Sequence, residues 1–201
     1  MLPKPLQELQ QIFEKFPGIG PRQASRFSFF LLKQPPEELE RMADAIKSLT
    51  KEVGLCNTCY LPASGSTSCV VCSDNKRDNS IIYIVEKESD AIAMEDAKMF
   101  NGTYLVLGEN ISPIGKSDAA KERLRTFLKK VKNENNIKEV VLALNNTREG
   151  NFTTMYIEEM FKKNIEGAEV KLTRLGRGLS TGSELEYADE ETLRNAFENR
   201  R

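Results

Sequence analysis

The chain has 201 residues, enough for one sizeable domain or two to three small ones, and its 39% hydrophobic and 29% charged residues are ordinary for a globular protein with a packed core. It contains no histidine, which excludes Ser/His/Asp hydrolysis, Cys/His nucleophilic catalysis and every His-ligated zinc enzyme. A net charge of −1 announces no acidic partner globally, so any polyanion site must be a local cluster of the 29 Lys and Arg residues.

Residues 6–16, LQELQQIFEKF, place Leu6, Leu9, Phe13 and Phe16 at helical spacing, and the pattern stops at Pro17-Gly18. A second helix opens at Pro21, because proline is tolerated at the first helical position, and runs through PRQASRFSFFLLK. A third spans Glu37 to about Val53, with Leu39, Met42, Ile46, Leu49 and Val53 on one face. Region 1–54 is therefore expected to be all-helical. Between the first two helices, Gly18 and Gly20 bare the backbone, so N–H groups at the start of the second helix point outward as an anion site. Arg22 and Arg26, at i and i+4, share a face and can add charge-assisted bonds to neighbouring phosphates. The same spacing also fits a plain connector with two solvated arginines. FPGIGPRQASRF resembles the helix-hairpin-helix motif of DNA-repair proteins, which implies that Gly18, Gly20, Arg22 and Arg26 hold DNA phosphates and read no bases.

Residues 55–73 break the periodicity and read as an irregular knuckle. Cys56-x2-Cys59 and Cys69-x2-Cys72 each present two thiolates, and two such pairs complete a tetrahedron, so one structural Zn2+ with four cysteine ligands is the direct reading. The competing readings are a disulfide pair, disfavoured without a secretory signal, and a redox Cys-x2-Cys, disfavoured when there are two. No apolar run approaches the ~18 residues of a membrane span, and MLPKPLQELQ lacks a signal-like stretch, so the expected compartment is the cytoplasm.

From residue 79 to 176 the texture changes to β-rich runs at 80–86, 103–108, 138–144 and 169–176, separated by helix-sized segments. That alternation predicts a parallel sheet covered on both faces. SDAAKERLRTFLKKV is the clearest helix, with Ser117 as its N-cap. Seven basic and two acidic residues fall between Lys116 and Lys132, a surplus that fits either a polyanion-facing surface or a solvated face. Glu86 closes the first strand at the carboxyl edge where ligands gather in α/β sheets. This region resembles the Toprim domain of topoisomerases, primases and nucleases, which combine such a glutamate with an Asp-x-Asp pair to hold magnesium. In ALNNTREG, Asn145 and Thr147 stand where those carboxylates are expected, so a divalent ion loses most of the negative charge that would hold it. Glu86, Asp90 and Glu149 remain as an acidic group, read as a protein-contact face or as solvated acids. Residues 177–201 begin as a Gly/Ser loop and end in a short helix, with Asp189, Glu190 and Glu191 at its start and Arg200 and Arg201 at its end.

The order of parts, with CNTC, CVVC, NGTYLVLG, LALNNTREG and RGLSTGSELEYADEETL, resembles the RecR family of bacterial recombination mediators over nearly the whole chain. The resemblance implies a non-enzymatic oligomeric DNA clamp that works with RecO and RecF to help RecA load during gap repair. It implies that Glu149, with Glu86, lies on a partner surface, and that subunits join through the N-terminal helices and by exchanging the arm after Arg177. The family usually has His at Leu105, Gly at Glu109 and Pro at Asn146, so this chain departs from it around the acidic edge. The rival reading is a magnesium-dependent Toprim nuclease or primase.

Overall fold

The structure is a computed structural model that describes residues 2–65, 67–134, 136–165 and 169–200. It divides into two units, Met1–Val53 and Gly54–Arg201.

The first unit is helical. α1 (Lys4–Phe13), α2 (Pro21–Leu32) and α3 (Pro36–Glu52) each carry proline in the first turn, where a missing N–H costs nothing. α1 ends before the expected Phe16, and the turn that follows is closed by Phe16 N–H donating to the Phe13 carbonyl. Phe13 packs edge-on against both Phe16 and Phe27, with ring centroids 5.8 and 5.7 Å apart. Little else is enclosed: Leu6, Ala24 and Ser28 are the buried residues described in these helices. The apolar stripe of α3 is present as expected but open, with Ile46 67% and Leu49 58% exposed. Val53, expected to end that stripe, instead begins strand β1 (Val53–Leu55), because its branched side chain and the following glycine favour extended backbone over another helical turn.

In the second unit, β1 pairs with β2 (Pro62–Ser64) as a small ribbon beside the cysteine knuckle, which the sequence left irregular. The main sheet holds four parallel strands in the order β4-β3-β5-β6: β3 (Ile81–Val85), β4 (Thr103–Val106), β5 (Glu139–Leu142) and β6 (Lys171–Arg174). The connections are α4 (Glu88–Asp96), α5 (Asp118–Asn133) and α6 (Arg148–Asn164). Because the chain moves from β3 to β4 in one direction and then turns back past β3 to β5 and β6, right-handed crossovers place α4 on one face and α5 and α6 on the other. The burial follows. Ile82, Ile84, Leu105, Val140 and Leu142 face Leu124, Phe127, Leu128, Ile157 and Phe161 in one core. The second core joins Val85, Tyr104, Val106 and Ala143 to Ala91 of α4 and to Cys56, Cys59, Leu61 and Cys69. The sheet is therefore covered on both faces, but one cover is shared between a helix and the cysteine knuckle.

Ser117 does occupy the N-cap position of α5, yet its hydroxyl is used elsewhere, accepting the Ser112 N–H at 3.3 Å. After β6 the arm carries a 3-10 turn (Leu185–Tyr187) and α7 (Glu190–Glu198). Asp189 caps α7 by accepting the Thr192 N–H at 2.7 Å, and Arg200 donates to the Phe197 carbonyl at its far end. Arg201 lies outside the described residues. No described helix is long and apolar enough to cross a membrane.

Candidate functional site

Three places carry chemistry. The first is the α1–α2 hairpin. Gly18 sits at φ +77, a left-handed conformation that disfavours any side chain, and lets the chain reverse within one turn. Gly20 is the N-cap of α2 in extended conformation. A Cβ at either position would meet no atom of this chain, so neither glycine is demanded by internal crowding. What both provide is open backbone. Ile19 donates its N–H to Phe16, whereas α2 has no side-chain cap, so the N–H groups of its first turn stay available. Arg22 and Arg26 are exposed and have no hydrogen-bond or ion-pair partner among the described residues.

The second place is the knuckle. The Sγ atoms of Cys56, Cys59, Cys69 and Cys72 all lie within 4.8 Å of one another. Four sulfurs held about 2.3 Å from one tetrahedral zinc are about 3.8 Å apart, so the cluster fits that ion. Backbone N–H groups of Leu61 and Cys72 point at the Cys59 and Cys69 sulfurs at 3.4 and 3.5 Å, as thiolates at a metal require. Without a cation the set resists shared ionisation. Burial pushes the Cys56 thiol up, but backbone N–H groups of Cys59, Thr58 and Cys69 outweigh it and bring it to about 6. Cys59 is pushed well up by its bond to Cys72 and by burial, and burial also raises Cys69. A divalent ion removes that conflict. The knuckle is anchored to the sheet as well. Cys59 O accepts the Val106 N–H at 2.9 Å, and the Tyr60 ring, on a residue at φ +66, lies 4.5 Å beneath the Arg123 guanidinium.

The third place is the carboxyl edge between β3 and β5, where the connections leave in opposite directions and a crevice forms. Glu86 is only 6% exposed. Its Oε2 accepts the Asn145 amide at 3.1 Å, and the Lys87 ammonium lies 3.1 Å from its Oε1. Burial raises the Glu86 carboxyl, but the Asn145, Lys87 and Asn110 donors together hold it below the usual carboxylate range. Asn145 is set in place by α6: a Cβ on Gly150 would stand 2.1 Å from the Asn145 carbonyl, so only glycine lets the strand end approach the helix so closely. Thr147 caps α6 by accepting the Gly150 N–H at 3.1 Å. Asp90 is taken up at the start of α4, accepting the Lys87 N–H at 3.0 Å. Glu149 is exposed on the first turn of α6. The acids read together in the sequence thus have separate situations: one buried and neutralised, one a helix cap, one free. Lys87 and Asn110 carry no signal in the sequence beyond the adjacency of Glu86 and Lys87, because their part depends on the tertiary position of Glu86.

Comparison with known proteins decides the family. The chain is 37% identical over 196 residues to a protein named Recombination protein RecR from Paenarthrobacter aurescens, spanning 98% of this chain and 96% of that one. It is 37% identical over 201 residues to a protein of the same name from Gloeothece citriformis, spanning 100% and 98%. A third, from Cutibacterium acnes, is 39% identical over 196 residues, spanning 98% and 94%. The chain belongs to the RecR family. The family models divide along the same lines as the structure: RecR, helix-hairpin-helix over residues 6–50, Toprim domain over 80–176, and RecR, C-terminal over 178–201. The RecR hairpin model contains Gly18, Gly20, Arg22 and Arg26, and the Toprim model contains Glu86 and Glu149. Magnesium, which Toprim enzymes use, does not fit here. The donors aimed at Glu86 are an amide N–H and an ammonium, where a cation would need oxygen ligands.

Proposed function

We propose that this chain is a DNA-binding recombination and repair mediator, an oligomeric clamp that acts with RecO- and RecF-like proteins to promote RecA loading on gapped DNA in the cytoplasm. The observation that carries the reading is the hairpin: Gly18 and Gly20 with nothing in front of them, flanked by the unpaired guanidiniums of Arg22 and Arg26. Such a surface grips phosphates of any sequence. Glu149 is the direct partner contact, because it is exposed, while buried Glu86 acts behind it by holding the edge in shape. The cysteine knuckle, residues 55–73, holds one structural Zn2+ through Cys56, Cys59, Cys69 and Cys72 and leaves no open coordination position.

Self-association accounts for the apolar surface. A groove of about 680 Å3 in the helical unit is lined by Leu6, Leu9, Phe29, Leu32, Met42 and Ile46. About fifty residues with so small a core need a further partner to bury that surface, and a second copy supplies it. On the arm that follows residues 79–176, Leu185, Tyr187 and Phe197 are 66%, 79% and 67% exposed, which favours exchange of 177–201 between copies. No bond-breaking step is assigned to the protein.

The test is DNA binding by wild type and by the Arg22→Ala, Arg26→Ala double variant over a range of salt. Binding should weaken on all sequences alike, and the slope of log affinity against log salt should fall by about 2. Unchanged affinity and slope would leave the hairpin a plain connector. Cleavage or primer synthesis with Mg2+ that is abolished by Glu86→Gln would instead favour a Toprim nuclease or primase.

A further inference from the structure

We propose that the Lys87 ammonium is a built-in counter-ion, standing at the Glu86 carboxylate where a divalent cation would stand, so that this edge of the sheet is set without magnesium. The inference deepens the non-catalytic reading above and rests on it. Lys87 lies two residues past the end of β3, and its backbone is the N-cap of α4, with its N–H held by Asp90 at 3.0 Å. The stem therefore starts from a fixed point, and the ammonium lies 3.1 Å from Glu86 Oε1. The other oxygen, Oε2, accepts the Asn145 amide at 3.1 Å. Asn145 must turn its nitrogen toward the acid, since its carbonyl oxygen there would face a carboxylate oxygen with no proton between them. One negative charge thus meets one positive charge and an amide donor. A magnesium ion would have to displace the ammonium and would then find a single carboxylate, too little to repay its own dehydration.

The consequence reaches the exposed face. Asn110 stands near enough to Glu86 to help hold its carboxyl low, and its Oδ1 lies 3.0 Å from Thr153 Oγ1. That hydroxyl accepts the Ile111 N–H at 2.9 Å and lies 2.9 Å from the Glu149 carbonyl. The loop after β4 and the first turn of α6, with Glu149 on it, are tied together through Thr153 beside the neutralised carboxylate. A removable ion at that point would make the face depend on divalent cation; a covalently tethered ammonium makes it permanent.

Manganese binding to the full chain, read by electron paramagnetic resonance, tests this. Wild type and Asn145→Asp should show no saturable Mn2+ binding at this edge below the millimolar range, because the ammonium remains. Asn145→Asp combined with Lys87→Met, which adds a carboxylate and removes the ammonium, should bind Mn2+ at least about tenfold more tightly than Asn145→Asp alone. Equal affinity in those two variants would overturn the proposal, as would wild-type binding that Glu86→Gln removes. If that double variant does not fold, Asn145→Asp combined with Lys87→Gln carries the test: Mg2+ should raise its Tm and leave that of Asn145→Asp alone unmoved, and equal responses would overturn the proposal. DNA incubated in the same samples separates the two readings. Cleavage by wild type would sink the non-catalytic function, whereas tight wild-type Mn2+ binding without cleavage would sink only the counter-ion.

Discussion

The carbonyl oxygen of Cys59 accepts the backbone N–H of Val106 at 2.9 Å, so the first cysteine knuckle continues the hydrogen bonding of the outer edge of β4. An edge strand that would otherwise offer unpaired N–H groups is closed by the cysteine knuckle. Removing the ion should therefore loosen the sheet and not the knuckle alone. We expect a chelator at neutral pH to lower Tm and to speed amide exchange at Val106 ahead of the central strand β3. Exchange at Val106 that ignores the metal would show that the knuckle stands without it.

Gly18 and Gly20 separate stability from binding. Gly18→Ala places a side chain at φ +77 and should cost about 1 kcal/mol in unfolding free energy. Gly20→Ala has an ordinary extended conformation and open space, so it should leave stability within about 0.5 kcal/mol of wild type. Its effect should be on DNA affinity, because the added methyl stands in front of the amides. Fluorescence anisotropy beside denaturant unfolding reads both, and a Gly20→Ala protein that binds DNA as wild type does would move the phosphate contact elsewhere.

Arg77 and Glu95 form the main polar brace between the knuckle exit and α4. Both Arg77 terminal nitrogens bond Glu95, Arg77 also reaches Gly102 O at 3.0 Å, and the Tyr104 hydroxyl donates to Glu95 at 2.6 Å. The Arg77 bond, partly opposed by burial, holds the Glu95 carboxyl below its ordinary value. Its stabilisation is therefore complete above the unfolded carboxylate range near pH ~4.3 and is lost as pH falls through the lower folded value. Glu95→Gln should cost about 2 kcal/mol at pH 7, and the gap from wild type should shrink below pH ~4. A gap that stays constant on acidification would mean that the charge contributes nothing.

Glu86 and Glu149 should behave oppositely. Glu86→Ala strips a buried acceptor from the Asn145 amide and the Lys87 ammonium and should lower stability by about 2 kcal/mol. Glu149→Ala lies on an exposed first turn and should change stability by no more than about 0.5 kcal/mol, while weakening capture of a RecO-like partner. Intact partner binding by Glu149→Ala, measured by surface plasmon resonance, would remove Glu149 from that surface.

The parts of the fold legible in the sequence are those governed by short-range rules. The four strands stand within the expected runs because alternation of branched apolar residues is a two-residue signal. α2 begins at Pro21 for an equally local reason. Ser117 shows where such rules stop. Its position at the start of α5 was legible, but the Ser112 N–H that occupies its hydroxyl comes from a loop whose path is set by packing against α6. The open stripe of α3 is a second case: periodicity identified the apolar face, and periodicity carries no information about what covers it.

By itself the sequence determined the hairpin glycines, the two cysteine pairs and the missing Asp-x-Asp, because backbone permissiveness, ligand type and charge belong to individual residues. Tertiary structure decided that the cysteine knuckle shares one face of the sheet with α4, and that Glu86 is buried. It also brought Asn145, 59 residues away, within 3.1 Å of that carboxylate. Those outcomes follow from strand order and helix crossover, which bring distant side chains together in low dielectric, where a pair of partners changes what a carboxylate can do.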